Sequence, residues 1–316
     1  MKILSSEQVR ELDQYSIKNE PISSINLMER AALKFAQALH NDQNNSHKIY
    51  VFCGMGNNGG DGLAVARLLL SKYNYNLQVY VVGHMKEASP DFQKNEKKME
   101  GVHYIKNKED IPPIEKDACV IDALFGTGLS RPVEGIVASV IQAINQSGAY
   151  VYSIDMPSGL YCDQQNESRD AIIQADKVYT FHAPKLSFFF PSNGNYVRSF
   201  EILDIGLNQE FEKNLNSDYS FITVDMPRQF LKKREKFSHK GSYGHALIAA
   251  GSMGKMGAAI LALKGAQRSG AGFGICLCSW VWLFYCSVAS ARSDAGSCRS
   301  STNGLLYLEG KINPVR

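Results

Sequence analysis

The chain has 316 residues, 44% of them apolar, and a formal net charge of +3 from 34 basic and 31 acidic side chains. This composition supports one large or two smaller folded domains and makes disorder an unsuitable description. The near balance of charges gives no reason to expect a nucleic-acid partner. The N-terminus lacks the apolar stretch and cleavage site of a signal peptide, and no clean run of about 20 apolar residues predicts a membrane span. A soluble, cytoplasmic protein is therefore expected.

Short β-rich runs alternate with helical stretches along the first 210 residues. Helices are predicted from Ser5, where Gln8 completes a capping box, and over residues 27–39, 62–72 and 133–147. Strands are predicted at residues 48–53, 77–82, 118–123, 149–154, 177–181 and 200–204. Strands that alternate with helices indicate a doubly wound, mostly parallel α/β sheet, and their near-continuous apolar runs predict helices on both of its faces.

The pattern restarts near residue 218. The stretch 228–240 is basic, and it is either a solvated linker or a surface that faces phosphate. A new strand is predicted at residues 245–251 and a new helix at 257–269, which is how a second α/β unit would begin.

The most informative segment follows the first predicted strand and reads GMGNNGGDG at residues 54–62. Its glycines let the backbone approach a ligand closely, and the start of the next helix offers free N–H groups to phosphate. The segment matches the dinucleotide pattern G-x-G-x-x-G, but the second strand, which ends at residues 81–84, lacks the acidic residue that usually holds the ribose. Asn57, Asn58 and Asp61 add polar groups that phosphate binding alone does not need.

Two later strands are also followed by polar loops, DALFGTGLSRP at residues 122–132 and DMPSG at 155–159. Ligands in open α/β sheets bind beyond the carboxyl ends of the strands, so the three loops are expected to meet in one crevice. A single Asp after a strand is often only a helix cap or turn former, but three such loops at strand ends favour a binding site.

The polar groups of these loops suit two kinds of ligand. Gly126 to Gly128 would form a second phosphate cradle, with Arg131 beside it. Asn58, Asp122, Asp155 and Ser158 are expected to converge in this crevice. Oxygens from an amide, a carboxylate and a hydroxyl or carbonyl group suit a hard cation, and no soft ligand is expected near them.

Together, and in this order, NNGGDG, DALFGTG and DMPSG resemble the NAD(P)H-hydrate epimerase family over about residues 1–215. Those enzymes interconvert the R and S forms of NADHX and NADPHX, damaged cofactors in which water has added to the nicotinamide ring. The resemblance implies a Rossmann-like three-layer α/β/α sandwich, a bound K⁺ ion and a homodimer. It leaves open whether NADHX or NADPHX is preferred.

The resemblance also assigns roles to residues. Asp155 would contact substrate and act as the catalytic acid/base, because inverting the carbon that bears the hydroxyl requires proton transfers. Asn58, Asp122 and Ser158 would ligate potassium. Asp155→Ala is expected to remove most activity while leaving the fold intact. The remaining substrate contacts would come from two loops: Asn57, Asn58, Gly59, Gly60, Asp61, Gly126, Thr127, Gly128, Leu129, Ser130, Arg131 and Pro132.

A second resemblance begins at residue 237, where HKGSYGH, AAGS and RSGAG are similar to the opening of the ADP/ATP-dependent NAD(P)H-hydrate dehydratase family, which has a ribokinase-like fold. The expected organisation is an epimerase domain at 1–217, a linker at 218–236, a truncated dehydratase start at 237–274 and an aberrant tail at 275–316. The nucleotide-binding and catalytic stretches of that family are missing, so no dehydratase activity is expected. ADP or ATP would serve only a complete domain.

The last 42 residues differ in character, with four of the seven cysteines and both tryptophans. The Trp-Val-Trp at residues 280–282 must be encoded TGG-GTN-TGG, which reads as Gly-x-Gly one base later. Over residues 278–285 that shift permits VPGCGYSI, which resembles a dehydratase segment. We interpret the tail as a frameshift near residue 275, with a genuine divergent C-terminus as the alternative; the nucleotide sequence decides between them.

Two other functions remain open at this point. An NAD-dependent oxidoreductase is suggested by the literal glycine pattern, and hydride transfer with intact NAD would favour it. A non-catalytic Rossmann-like binding protein would show no activity for Asp155 substitutions to remove.

Overall fold

In the computed structural model of the protein, a sheet of seven parallel strands organises residues 1–226. The strands are β1 (Ile49–Cys53), β2 (Leu77–Val82), β3 (Val102–Ile105), β4 (Cys119–Ala123), β5 (Tyr150–Ile154), β6 (Lys177–Phe181) and β7 (Phe200–Leu203). Six of them are predicted by the sequence. The prediction missed β3, because His103 and Tyr104 are exposed at the edge of the sheet and give the strand no apolar run.

Helices precede the sheet, connect several of its strands and follow the last strand. They are α1 (Ser6–Asn19), α2 (Ser24–Asp42), α3 (Asn57–Tyr73), α4 (Pro90–Glu96), α5 (Gly135–Ser147), α6 (Gln209–Asn214) and α7 (Asp225–Phe230). The predicted capping box is confirmed, since Ser5 and Gln8 exchange hydrogen bonds at the start of α1. Helix α3 begins at Asn57 rather than at the predicted residue 62, so the NNGGDG motif forms its first turns instead of a free loop.

Alternate residues of the strands face two different helical layers. On one face, Tyr50, Phe52 and Val120 join a core with the apolar side of α5. On the other face, Val51 and Ile121 join a core with α2 and α3. Because helices cover both faces of the sheet, the Rossmann-like three-layer α/β/α sandwich is confirmed.

The strand order is β3-β2-β1-β4-β5-β6-β7. The chain therefore builds outward from β1 to β3 and then returns to place β4 on the other side of β1. This reversal is the switch point at which open α/β sheets bind ligands, beyond the carboxyl ends of their strands. The loops after β1 and β4 lie at that point.

The structure describes residues 1–42, 48–83, 87–167, 169–230, 233–252, 255–277, 299–300 and 305–308. Within these ranges, no helix is long and apolar enough to cross a membrane.

Residues 227–316 form a second compact unit. It contains β8 (His245–Ala249), α8 (Gly257–Arg268), β9 (Phe273–Leu277), β10 (Arg299–Ser300) and β11 (Leu305–Leu308). Strands β8 and β9 are parallel, and β11 joins β9 to β10 by antiparallel pairs. The strand and helix predicted at 245–251 and 257–269 are thus confirmed, while most of the tail predicted at 275–316 lies outside the described residues.

Candidate functional site

The glycine-rich turn after β1 requires its glycines because the backbone folds back on itself. A Cβ atom on Gly59 would lie 1.8 Å from the carbonyl oxygen of Gly54. A Cβ on Gly62 would lie 2.5 Å from the Cβ of Ala123, so Gly62 lets α3 pack directly on the sheet. The turn can therefore present backbone N–H groups at a helix start, as a bound phosphate requires.

Helix α4 supports this turn from behind. The buried Asn95 donates from Nδ2 to the carbonyl oxygen of Gly60 (3.1 Å), and the sulfur of Met28 would lie 3.0 Å from a Cβ on Gly60. Glu87 and the run at residues 94–98 predict an exposed helix, and that prediction is wrong for Asn95, which is buried. No local sequence pattern indicates that this side chain holds the glycine turn in place.

The two asparagines at the start of α3 have different environments. Asn57 is exposed and Asn58 is half-buried. The amide of Asn58 lies against the loop after β4, because its Oδ1 would be 3.3 Å from a Cβ on Gly126. Its Nδ2 is buried and has no hydrogen-bond partner among the described residues. A buried amide group without a partner is costly, so this one is suited to meet a ligand.

Asp122 lies near the end of β4 and is completely buried. Its Oδ1 accepts from the Ser158 hydroxyl (2.5 Å) and the backbone N–H of Leu124 (3.3 Å). Its Oδ2 accepts from the Ser153 hydroxyl (2.7 Å) and the backbone N–H of Ser158 (2.8 Å). Asp122 thus ties the loops after β4 and β5 together.

Ser158 closes the same network from the loop after β5. Its Oγ accepts from the backbone N–H of Phe125 (2.8 Å) and also lies 3.2 Å from the carbonyl oxygen of Phe125. No Lys or Arg of the described chain pairs with Asp122, and burial raises the pKa of its carboxyl group while the hydrogen bonds from Ser158 and Ser153 oppose that rise. The site therefore concentrates oxygen atoms and negative charge without a protein cation beside them.

Asp155, the first residue after β5, is held differently. Its Oδ1 accepts from Thr180 Oγ1 (3.1 Å) and the backbone N–H of Phe181 (3.0 Å), and it forms an ion pair with Lys185 Nζ (2.8 Å). The Lys185 side chain is 1% exposed, and its ammonium also donates to the carbonyl oxygens of Phe181 and Ala183. From its position just after a strand end, Lys185 could reach substrate or have a structural or solvated role; the structure buries it against Asp155.

The second oxygen of Asp155 is available. The described residues donate no hydrogen bond to Oδ2, and 13% of the side chain is exposed. The backbone of Asp155 has φ = 64°, a left-handed conformation that is uncommon outside glycine and is often found at functional sites. An anchored oxygen beside a free one is suitable for proton transfer.

Two further carboxyl groups, those of Asp61 and Asp13, interact electrostatically with Asp155. The half-buried Asp61 has a pKa raised well above its usual value by burial and then by the charges of Asp155, Asp13 and Asp91. The pKa of Asp13, on α1, is raised to about 6 by burial and by Asp155, against the opposing charge of Lys185. Asp13 is a residue that sequence reasoning missed, because no motif surrounds it.

The other predicted substrate contacts lie at the rim. Gly126 and Thr127 are half-buried, whereas Gly128, Ser130, Arg131 and Pro132 are exposed, with the half-buried Leu129 between them. The three predicted loops thus come together at the switch point, with Asn58 beside Gly126 and with Ser158 bonded to Asp122 and Phe125.

His182 follows β6 at the same edge of the sheet, also with a left-handed backbone (φ = 65°). Burial lowers the pKa of its imidazole, against the charges of Glu212 and Asp204, and Nε2 lies 3.4 Å from the Glu212 carboxylate. Burial of the ring therefore favours its neutral form.

Comparisons with known proteins identify a family for the N-terminal part of the chain. Residues 24–187 match the family described as YjeF-related protein N-terminus. An NAD(P)H-hydrate epimerase from Oenococcus oeni is 37% identical over 65% of this chain and 96% of its own length. Bifunctional NAD(P)H-hydrate repair enzymes Nnr are also similar. Those from Moorella thermoacetica and Coxiella burnetii are 32% and 33% identical over 86% and 85% of this chain.

The matches differ in how much of each relative they cover. The chain spans about half the length of the bifunctional relatives, 53% for Moorella thermoacetica and 55% for Coxiella burnetii. The epimerase from Oenococcus oeni, in contrast, is matched almost from end to end.

Proposed function

The chain belongs to the YjeF-related N-terminal domain family, which includes NAD(P)H-hydrate epimerases, and from this premise we propose that it interconverts the R and S forms of NADHX and NADPHX. The observation that carries the proposal is the state of Asp155. One of its oxygens is fixed by Lys185, Thr180 and Phe181. The described residues donate no hydrogen bond to the other oxygen.

Asp155 would perform the proton transfers. Inverting a carbon that bears a hydroxyl group requires a proton to be taken from, and returned to, groups on that carbon. The ion pair with the buried ammonium of Lys185 and the hydrogen bonds from Thr180 and Phe181 fix the orientation of this carboxyl group. Asp155 Oδ2 is the atom we assign to this role.

Two glycine turns would hold the dinucleotide. The turn at residues 54–62 offers the N-terminus of α3 to a phosphate. The loop at residues 126–132, in which Arg131 is exposed, would provide a second and weaker phosphate contact. Asn57 and Asn58 would contact the polar part of the substrate. We therefore retain the substrate contacts predicted from the sequence as part of this proposal.

Potassium would bind where Asn58, Asp122, Ser158 and Phe125 meet. The described residues contain no group of three or more His, Cys, Asp or Glu side chains that could hold a metal, so a cation here depends on hydroxyl, amide and carbonyl oxygens. Such hard oxygen ligands fit K⁺. Turning the Asn58 amide by 180° would place an oxygen where its unpartnered nitrogen lies.

The cation would also compensate the buried charge of Asp122. Both oxygens of this carboxylate already accept two hydrogen bonds each, so direct ligation would replace one of those bonds, that from the Ser158 hydroxyl being the nearest at 2.5 Å. When bound, potassium would supply positive charge beside the site; the chain's own residues would supply the proton transfers.

The proposal is tested by incubating the purified full chain with R-NADHX and an S-specific dehydratase, in potassium chloride and in choline chloride of equal ionic strength. We expect R-NADHX to be consumed faster than in the uncatalysed control, and faster with potassium. Consumption at the uncatalysed rate in both salts would contradict the function. Equal rates in both salts above that background would contradict only the potassium site.

A homodimer and a cytoplasmic location belong to the same proposal. An oxidoreductase is disfavoured because the end of β2, described through Gly83, carries no carboxylate to hold the ribose of NAD.

A further inference from the structure

Helix α1 borders the candidate site, although no recognised motif lies on it. The guanidinium nitrogen Nη2 of Arg10 would lie 3.2 Å from a Cβ on Gly128, in the loop that follows β4. The helix is firmly attached at that position. Leu12 is buried, and the buried Ser16 accepts a hydrogen bond from the backbone N–H of Asn208 (3.0 Å).

Asp13 lies on the face of α1 that borders the site. It is one turn after Arg10, and residues three apart in a helix share a face. Leu12, the residue before Asp13, belongs to an apolar cluster against which Phe181 packs, and the backbone N–H of Phe181 donates to Asp155 Oδ1. The half-buried carboxyl group of Asp13 interacts electrostatically with Asp155 and Lys185. The helix therefore brings a second carboxyl group to Asp155 from a part of the chain more than 40 residues before the glycine turn.

We propose that Asp13 is a second catalytic residue, a carboxyl group that shares a single proton with Asp155 during epimerisation. This inference rests on the proposed function and deepens it. Asp155 is anchored by Lys185 through one oxygen, whereas Asp13 has no such cation of its own among the described ion pairs.

The electrostatics agree with a shared proton. Two carboxylates that interact closely do not both ionise readily. The pKa of Asp13 is raised to about 6, mainly by burial and then by the charge of Asp155, with Lys185 opposing. Burial, and then the charges of Asp155, Asp13 and Asp91, also raise the pKa of Asp61, which lies near the start of α3. The variants below distinguish its role from that of Asp13.

The chemical step balances with one proton on the pair. Asp13 gives its proton to the hydroxyl of the hydrated ring, and the carbon–oxygen bond breaks as its electron pair leaves with water. The lone pair of the adjacent ring nitrogen forms a C=N bond to that carbon. Water then adds to the opposite face, the C=N electron pair returns to nitrogen, and Asp155 takes a proton from the added water. The pair again holds one proton, now on Asp155, and the reverse reaction returns it to Asp13.

The decisive experiment compares Asp13→Asn with Glu11→Gln, which changes an exposed carboxylate on the same helix. The rate kcat/KM would be measured from pH 5 to pH 8.5 in the coupled assay with R-NADHX, after circular dichroism has shown that each variant is folded. For the wild-type chain we expect kcat/KM to fall as the pH rises past about 6, because the shared proton is lost. Asp13→Asn should lower kcat/KM by about 100-fold or more and remove this pH dependence, since general acid–base catalysis contributes about 10²–10⁴-fold. Glu11→Gln should leave kcat/KM within about twofold of the wild-type value and should leave its pH dependence unchanged.

The failure of this inference is distinct from the failure of the proposed function. A folded Asp13→Asn variant that keeps the wild-type rate and pH profile overturns the role of Asp13 while the epimerase activity stands. If Asp61→Asn loses the pH dependence and Asp13→Asn keeps it, the proton belongs to Asp61, and this result also overturns the role of Asp13. A wild-type chain that does not turn over R-NADHX overturns both.

Two measurements on the wild-type chain need no variant. The absence of a decline above pH 6 would overturn the shared proton even if Asp13→Asn failed to fold. Turnover in ¹⁸O-labelled water should place the label in the epimerised product, and its exclusion would overturn the step that loses and regains water.

Discussion

Strands β4 and β5 each have an aspartate at their carboxyl end, Asp122 within β4 and Asp155 directly after β5, yet the two carboxyl groups have opposite environments. Asp122 is completely buried, and both of its oxygens accept hydrogen bonds from Ser153, Ser158 and a backbone N–H. Asp155 is anchored through one oxygen by a buried lysine, while its other oxygen has no partner among the described residues. The comparison teaches that the partners of a strand-end acid, rather than its position, separate a structural role from a chemical one.

The largest effect is expected for Asp155→Asn, which tests whether Asp155 rather than Asp122 is the reactive carboxyl group. We expect kcat/KM for R-NADHX to fall by about 10²–10⁴-fold, because the amide cannot exchange a proton. The substitution also leaves the buried Lys185 ammonium without its partner, which typically costs about 3–5 kcal/mol of unfolding free energy. The earlier expectation of an unaffected fold therefore needs a control. Urea unfolding and the coupled assay would measure both effects.

That control is the double variant Asp155→Asn with Lys185→Met, in which methionine replaces the lysine by a side chain of similar length. It should recover part of the lost stability without recovering activity. A folded Asp155→Asn variant with a rate near that of the wild type would show that Asp155 is not the reactive carboxylate.

A smaller effect is expected at the glycine turn that both loops face. In Gly59→Ala the new Cβ would meet the Gly54 carbonyl oxygen at 1.8 Å, so the backbone must move. Overpacking of this kind typically costs about 1–3 kcal/mol, and we expect KM for R-NADHX to rise. Gly56→Ala is the matched control, because nothing lies within 4 Å of its Cβ position. Equal KM and unfolding free energy for the two variants would contradict the close approach.

The smallest expected effect concerns the pH dependence at Asp122. Burial raises the pKa of this carboxyl group in the folded state above its unfolded value, so the folded state binds the proton more tightly. The resulting stabilisation is complete below the unfolded pKa, about 3.9, and is lost as the pH rises through the folded pKa. Potassium should oppose this loss of stability, because a cation that binds only the folded state, at a free concentration of 100 times its Kd, stabilises that state by about 2.7 kcal/mol.

Thermal unfolding at pH 5 and pH 8, in potassium chloride or choline chloride, would measure this dependence. Asp122→Asn should remove both the slope with pH and the difference between the salts, although the variant loses hydrogen bonds and is less stable at both pH values. A potassium effect that survives the substitution would place the cation elsewhere.

The sequence predicted the fold where burial is uniform and failed where it is not. Strands β1 and β4 are buried along their whole length, so their apolar runs were visible. Strand β3 exposes His103 and Tyr104 and was missed. Because parallel strands end at one edge, the sequence also predicted that Asn58, Asp122 and Asp155 would lie together.

The residues around Asp155 were harder to foresee for a physical reason. Lys185 reaches Asp155 only because the chain turns back after β6, a direction that no local pattern encodes. Asp13 reaches the site because α1 packs beside the loops, and tertiary packing determines which turn of a helix faces inward. The free oxygen of Asp155 likewise depends on which donors surround it, so the contrast with Asp122 required coordinates.

The left-handed backbone of Asp155 has an implication for how this protein tolerates change. A side chain in that conformation costs of order 1–3 kcal/mol, and glycine would relieve the cost. Glycine would also delete the carboxylate and strand the Lys185 ammonium. Selection or engineering for thermal stability alone would therefore favour glycine at position 155 and give an inactive enzyme. The aspartate is expected to persist only where catalysis is under selection.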